Sequence, residues 1–362
     1  MSAPSSLARG RGALSNASGR FESLAVEAFD DGWDHADAAP PPLRTTLTAE
    51  RARSIIARNT SPDIGFDRSI NPYRGCEHGC IYCYARPAHA YVGLSPGLDF
   101  ESRLFFKQDA AALLRRELSK PGYRPAPIHI GGNTDPYQPA EKRLRVTRSV
   151  LEVLHAAGHP LTIITKSALI VRDVDILGDM GRRGLARAAV SITTLDRKLV
   201  RLMEPRAATP ERRLEAVAAL GAAGVPVSVM FAPVIPGLND HELETVLDRA
   251  AGAGAIGAGY VVLRLPREIK DLFREWLEGS LPDRASRVMS LVRQMRGGLD
   301  YDPRWSARMK GEGPIADVIA RRFAVATRRL GLNQARPALD LSQFRPPRAP
   351  SEQPDLFEDQ AS

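Results

Sequence analysis

A chain of 362 residues, 43% hydrophobic and 25% charged, can bury a large core and has the balance of an ordinary globular protein. No apolar run approaches the length of a membrane span, and the N-terminus lacks the apolar stretch of a secretory signal. The expected setting is therefore cytoplasmic, with no membrane partner. A formal net charge of +8 favours polyanionic partners such as nucleic acid, although a solvated, arginine-rich surface gives the same value.

Residues 1–50 are expected to form a mostly disordered arm. Ala, Gly, Pro, Ser and charge dominate there, and the stretch ends in Ala38-Ala39-Pro40-Pro41-Pro42. Two basic clusters, Arg9-Gly10-Arg11 and Gly19-Arg20-Phe21, suit either a phosphate contact or docking on the domain. Next comes Asn71-Pro72-Tyr73-Arg74-Gly75-Cys76-Glu77-His78-Gly79-Cys80-Ile81-Tyr82-Cys83-Tyr84, which holds all 3 cysteines of the chain in a C-x3-C-x2-C spacing. Three thiolates on one short loop can hold three corners of a cubane iron–sulfur cluster, leaving the fourth iron without a protein ligand. The competing chemistry is a Cys3His zinc site using His78, which would be strained inside so tight a loop. An odd cysteine count in a long chain does not build a disulfide framework.

From about residue 126, short β-rich runs alternate with amphipathic helical runs, the pattern of βα units around a parallel sheet. Strands are expected at 128–132, 161–167, 188–193, 225–231 and 260–265, with a first strand just before Cys76. Helices are expected over 145–157, from Pro210 to Gly224 with Thr209 as N-cap, and over 242–253. This predicts an α/β core over 51–266. A helical extension follows over 267–332, with helices at 267–279, 283–297 and 321–331. Residues 333–362 turn Pro-rich and polar and are expected to be a disordered tail.

The run Cys76-x3-Cys80-x-Tyr82-Cys83 resembles the signature of radical S-adenosylmethionine (radical SAM) enzymes, and the resemblance extends over roughly residues 70–265. It implies a partial (β/α)6 TIM-like barrel and a [4Fe-4S] cluster on Cys76, Cys80 and Cys83. It also implies S-adenosylmethionine chelated to the open iron, with an electron from a flavodoxin or ferredoxin type of donor. Reductive cleavage to a 5′-deoxyadenosyl radical, which abstracts a substrate hydrogen, is then the expected chemistry, and that chemistry belongs to the cofactor. In parallel barrels such sites gather at the C-terminal strand ends, where Cys76, Gly132, Lys166, Ser191, Ile235 and Arg264 all fall.

By the same resemblance, Gly131-Gly132-Asn133 takes the place of a small-small-acidic run that binds the cofactor ammonium. Asn133 brings an amide oxygen without charge, and Asp135 is a candidate compensating anion. A plain glycine turn after a strand is the simpler reading of the same residues. Lys166 is placed to meet the cofactor carboxylate, since a buried lysine in a strand demands a partner. Ser191 is placed for the ribose hydroxyls, or is a small polar residue satisfied by backbone. Ile235, within Pro233-Val234-Ile235-Pro236-Gly237-Leu238-Asn239-Asp240, would pack the adenine, and Tyr82 would present its backbone edge to it.

Within the superfamily the chain is similar to spore photoproduct lyase and its relatives, through Cys-x-Tyr-Cys-Tyr, Thr165-Lys166-Ser167 and the strand-four Ser191. In that lyase a cysteine outside the motif returns the hydrogen atom, and this chain has no fourth cysteine. Tyr84 is the candidate catalytic residue for a hydrogen relay, with aromatic packing beneath the cluster as its other reading. Arg206, Arg212, Arg213 and Arg264 would grip a phosphate or carboxylate, or else pair internally with Glu204, Asp135 and Glu141. Gln353-Pro354-Asp355-Leu356-Phe357 resembles the pentapeptide with which bacterial repair and replication proteins bind the DNA sliding clamp, naming Gln353, Asp355, Leu356 and Phe357 as partner-binding residues. Together these imply a radical SAM enzyme of DNA repair or nucleotide modification. Modification of RNA, peptide or protein and a non-catalytic metal-binding repair adaptor are the alternatives.

Overall fold

The alternating runs after residue 126 fold as the pattern requires. The computed structural model describes residues 10–22, 43–334 and 338–347. Its strands are β1 Thr46–Glu50, β2 Ile56–Arg58, β3 Arg68–Ile70, β4 Tyr73–Arg74, β5 Arg103–Lys107, β6 Ile128–Ile130, β7 Leu161–Thr165, β8 Ala186–Ser191, β9 Val227–Val234 and β10 Gly257–Val262. β3, β6, β7, β8, β9 and β10 stand side by side in chain order, and every neighbouring pair is parallel. β2 adds an antiparallel edge to β3. The result is an open, six-unit α/β half-ring with one extra edge strand.

Local chemistry accounts for the layering. β7 and β9 bury every second side chain (Leu161, Ile163 and Thr165; Val227, Val229 and Phe231), and most of these join the helices in one apolar core. The helix Val146–Ala156 turns Val150, Leu151, Val153 and Leu154 into that core at helical spacing. The helix Pro210–Ala222 starts where expected, with the Thr209 hydroxyl accepting from Arg212 N and proline in the first turn. Its C-terminal counterparts are Ile269–Ser280, Pro282–Gln294 and Pro314–Arg329, the last beginning at Pro314 rather than Arg321. Phe273, Trp276, Leu277 and Val288 from this extension join Cys80, Ile81, Tyr82 and Ile235 in one apolar cluster. The helical extension is thus the floor of the cysteine loop.

Two expectations of disorder do not hold. β1 lies inside the expected arm, pairing in parallel with β5, which pairs antiparallel with β4 in a separate sheet. Residues 10–22 form a strap, with Arg11, Gly12 and Ala13 buried where Glu101 accepts from the Gly12 and Ala13 amides, both at 2.9 Å. Farther along, Arg20 Nε meets Glu268 at 2.7 Å. Residues 338–347 of the expected tail dock through Phe344, which packs on Tyr123 and His159, while Arg345 N donates to Ala157 O at 2.9 Å. Buried acceptors and aromatic contacts offset the ordering entropy that weak periodicity had left uncompensated. Residues 353–357, with the clamp-like pentapeptide, lie outside the described residues.

Candidate active site

The loop carrying the cysteines crosses the C-terminal end of the half-ring. Its backbone is hung from neighbours on several sides: Cys76 N donates to Phe100 O at 3.0 Å, Ile81 N to Met203 O at 3.0 Å, and Arg206 N to His78 O at 3.3 Å. None of the three thiols is in a disulfide; Cys76 and Cys80 are buried and Cys83 half-buried. Burial pushes all three thiols above their ordinary range.

Three buried carboxylates fasten this loop. Glu101 pairs with Arg86, whose guanidinium also donates to Cys80 O at 2.9 Å and Gly79 O at 3.2 Å. The strap is seated on the same Glu101, so closely that a Cβ on Gly12 would lie 1.8 Å from Gly79 O. Asp135 faces His78 Nδ1 at 3.3 Å and accepts from Thr165 Oγ1 at 2.6 Å and Lys166 N at 2.8 Å. Burial alone would raise the Asp135 carboxyl, but His78, the Thr165 hydroxyl and the Lys166 amide outweigh it and hold it at about 2. Asp135, the candidate compensating anion, is thus engaged by internal partners. Glu204 accepts from the Tyr82 hydroxyl and from Arg213, and from Thr193 Oγ1 at 2.5 Å. Burial would raise this carboxyl as well, yet Arg213, Lys166 and the two hydroxyls hold it at about 2.

The strand-end residues surround the loop. Gly131 has φ +99°, and a Cβ there would lie 2.7 Å from Ile164 O, so this turn tolerates no side chain. Asn133 is exposed, and its amide donates to Asn71 Oδ1 at 2.7 Å. Lys166 Nζ stands 5.7 Å from the centre of the Tyr82 ring. Burial disfavours its charge, but Cys80 and Glu204 outweigh burial and keep the ammonium above its ordinary range. Ser191 is buried and its carbonyl accepts from Arg213 Nη1 at 3.0 Å. Ile235 is buried, its amide capped by Asn239 Oδ1 at 2.7 Å, in the same apolar cluster as Tyr82.

Tyr84, read as a relay residue or as aromatic packing beneath the cluster, lies partly exposed, at 49%. Its hydroxyl donates to Gly132 O at 2.6 Å, and Arg264 lies over its ring at 5.3 Å. Of the arginines expected to grip an anion, Arg213 pairs with Glu204, Arg206 with Glu77 and Arg212 with Glu215. Internal pairing is thus their observed use. Arg86 and Glu101 were not anticipated; in a chain with 50 lysines and arginines, nothing local marks a buried one.

The donor set can be tested against the groups it would hold. Among the described residues no three His, Cys, Asp or Glu side chains converge as one metal ion requires, and His78 is engaged by Asp135. That disfavours the compact zinc tetrahedron. Three free thiols on one loop instead suit a cubane, which takes one thiolate at each of three separate irons. Cys76, Cys80 and Cys83 would hold it.

Comparison with known proteins agrees. The family model described as the radical SAM superfamily matches residues 70–250. An uncharacterized protein of Mycobacterium tuberculosis is 38% identical over 231 residues, covering 63% of this chain and 68% of that protein. A protein of Pseudomonas phage M6 named radical SAM Nalpha-GlyT isomerase is 24% identical over 196 residues, covering 53% of this chain and 38% of that one. Among solved structures, spore photoproduct lyase complexed with a dinucleoside spore photoproduct aligns with TM-score 0.50 at 16% identity, over 83% of this chain and 80% of the other. That likeness is one of fold. With half of its length matched by the superfamily model and three free thiols on the loop at the strand ends, the chain belongs to the radical SAM superfamily.

Proposed function

We propose that the protein binds a [4Fe-4S] cluster through Cys76, Cys80 and Cys83 and uses S-adenosylmethionine to abstract a hydrogen atom from a nucleic acid or nucleotide. The observation that carries this reading is the loop itself: three undisulfided thiols, set among Lys166, Ser191 and the Gly131 turn at the strand ends. The cluster and S-adenosylmethionine, when bound, supply the radical chemistry. The chain's own residues bind, orient and exclude water. Tyr84 would serve a hydrogen relay toward substrate, a reading supported by its partial exposure. The nucleic-acid assignment draws support from the basic net charge and from the dinucleoside bound by the lyase of similar fold. The electron donor is of the flavodoxin or ferredoxin type and the location cytoplasmic, in keeping with an oxygen-sensitive cluster; no helix among the described residues is long and apolar enough to cross a membrane.

Anaerobic reconstitution tests the chemistry: about four irons per chain and reductive formation of 5′-deoxyadenosine are expected, both lost in Cys83→Ala. Bound zinc alone would leave the adaptor reading. A lesion-containing oligonucleotide should stimulate cofactor cleavage, whereas stimulation only by peptide or RNA would move the substrate class. For delivery to DNA, a peptide containing Gln353, Asp355, Leu356 and Phe357 should bind purified sliding clamp. Affinity no better than that of the Leu356→Ala, Phe357→Ala peptide would remove the clamp.

A further inference from the structure

We infer that Glu204 is the positioning residue of the cofactor site, a single buried carboxylate that fixes Tyr82, Lys166 and Ser191 relative to the cysteine loop. The inference rests on the radical SAM reading of that loop. Those three residues come from three separate parts of the chain; Glu204 is bonded to Tyr82 directly and to Ser191 through Arg213. On one side the Tyr82 hydroxyl donates to Oε1, and Thr193 Oγ1 donates to the same oxygen at 2.5 Å. On the other, Arg213 donates to Oε2 and reaches Ser191 O at 3.0 Å and Ala208 O at 2.8 Å. Lys166 faces the same Tyr82 ring, and Glu204 is one of the groups, with Cys80 and Asp135, that sustain its charge. The residue before Glu204 joins the clamp through its carbonyl, which accepts from Ile81 N at 3.0 Å.

Part of the carboxylate's charge answers Arg213, which is itself fully buried and paired with it. Tyr82 and Thr193 need only a neutral acceptor, and Arg213 already serves two carbonyls. A carboxylate with no exposure costs desolvation that an amide would avoid. What the carboxylate adds is a fixed negative charge that favours the Lys166 ammonium, together with separate oxygens for the tyrosine and the arginine. An amide at position 204 would keep the shape and one acceptor while removing that charge.

The test uses full-length protein, reconstituted anaerobically, as Glu204→Gln, Glu204→Asp, Tyr82→Phe and the double variant Glu204→Gln, Tyr82→Phe. Iron per chain, thermal melting, equilibrium dialysis against S-adenosylmethionine without reductant, and the electron paramagnetic change on adding S-adenosylmethionine to the reduced cluster are the readouts. Glu204→Gln should hold iron near the wild-type level yet bind S-adenosylmethionine about tenfold more weakly. Glu204→Asp should recover part of that affinity. The Tyr82→Phe and Glu204→Gln effects should fall short of additive, because both break one chain of contacts. Wild-type affinity in Glu204→Gln overturns the inference, as does a loss that follows the iron content alone in every variant. Should Glu204→Gln fail to fold, Tyr82→Phe and Glu204→Asp decide: weakened binding at full iron in either supports it, and unchanged binding in both overturns it. A wild-type protein that takes up no cluster would overturn the proposed function first, and this inference with it.

Discussion

Tyr82 and Tyr84 flank the last cysteine, yet the two sides of the loop they occupy are built on opposite principles. The inner side, around Tyr82 and Cys80, is a dry network: the phenol, Thr193 and Arg213 converge on Glu204, and the apolar floor from Trp276 and Phe273 lies beneath. The outer side, around Tyr84 and Cys83, is half open, and its single phenol bond goes to the Gly132 carbonyl under the cover of Arg264. Identical side chains two positions apart thus serve rigidity on one face and access on the other. Burial with full pairing fixes geometry; partial exposure leaves a group free to meet another molecule.

Substitutions should expose this asymmetry. The largest effect is expected on the inner side: Arg213→Met leaves Glu204 buried without its cation and should cost about 3–5 kcal/mol of unfolding free energy in urea. Replacing Glu204 and Arg213 together by apolar residues should cost less than that single change, because no uncompensated charge is left behind. Acid should act on the inner network next. The folded-state values of Asp135 and Glu204 lie at about 2, below their ordinary 3.8 and 4.5. Their contribution is therefore complete above about pH 4.5 and fades as pH falls toward 2. Melting temperature should drop through that window, and an Asp135→Asn variant, weaker at neutral pH, should drop less. Gly12→Ala, which places a methyl against the Gly79 carbonyl, should cost about 1–3 kcal/mol, visible as a lower melting temperature. The smallest effect on folding belongs to the outer side: Tyr84→Phe should change stability by about 1 kcal/mol or less. With the true substrate it should nevertheless raise uncoupled 5′-deoxyadenosine, and unchanged coupling would remove Tyr84 from the relay.

The difference between the two sides also marks what sequence reasoning can reach. β6 to β10 and the helices between them were legible because their signals are local: alternation along a strand, Thr209-Pro210 at a helix start, cysteines within eight residues of one another. The strand-end positions of Lys166 and Ser191 followed from the same local periods. What escaped depends on distant partners. β1 reads Thr46-Leu47-Thr48-Ala49-Glu50 with no buried face of its own, and becomes a strand only because β5 lies alongside. Glu204 was seen as one acid among several, since nothing in its neighbourhood says that Tyr82 and Arg213 arrive from either side. The partners of Asp135 escaped for the same reason, being His78 and the end of β7.

The strap over the cysteine loop links distant moments in the life of the chain. Ser15 Oγ reaches Glu275 Oε2 at 2.6 Å, and Arg20 pairs with Glu268, so residues made first are fastened by residues made some 250 positions later. A ribosome must therefore deliver most of the polypeptide before the cysteine loop can be roofed on that side, and such long-range closure is slow. Until then the three thiols stand without that part of their cover.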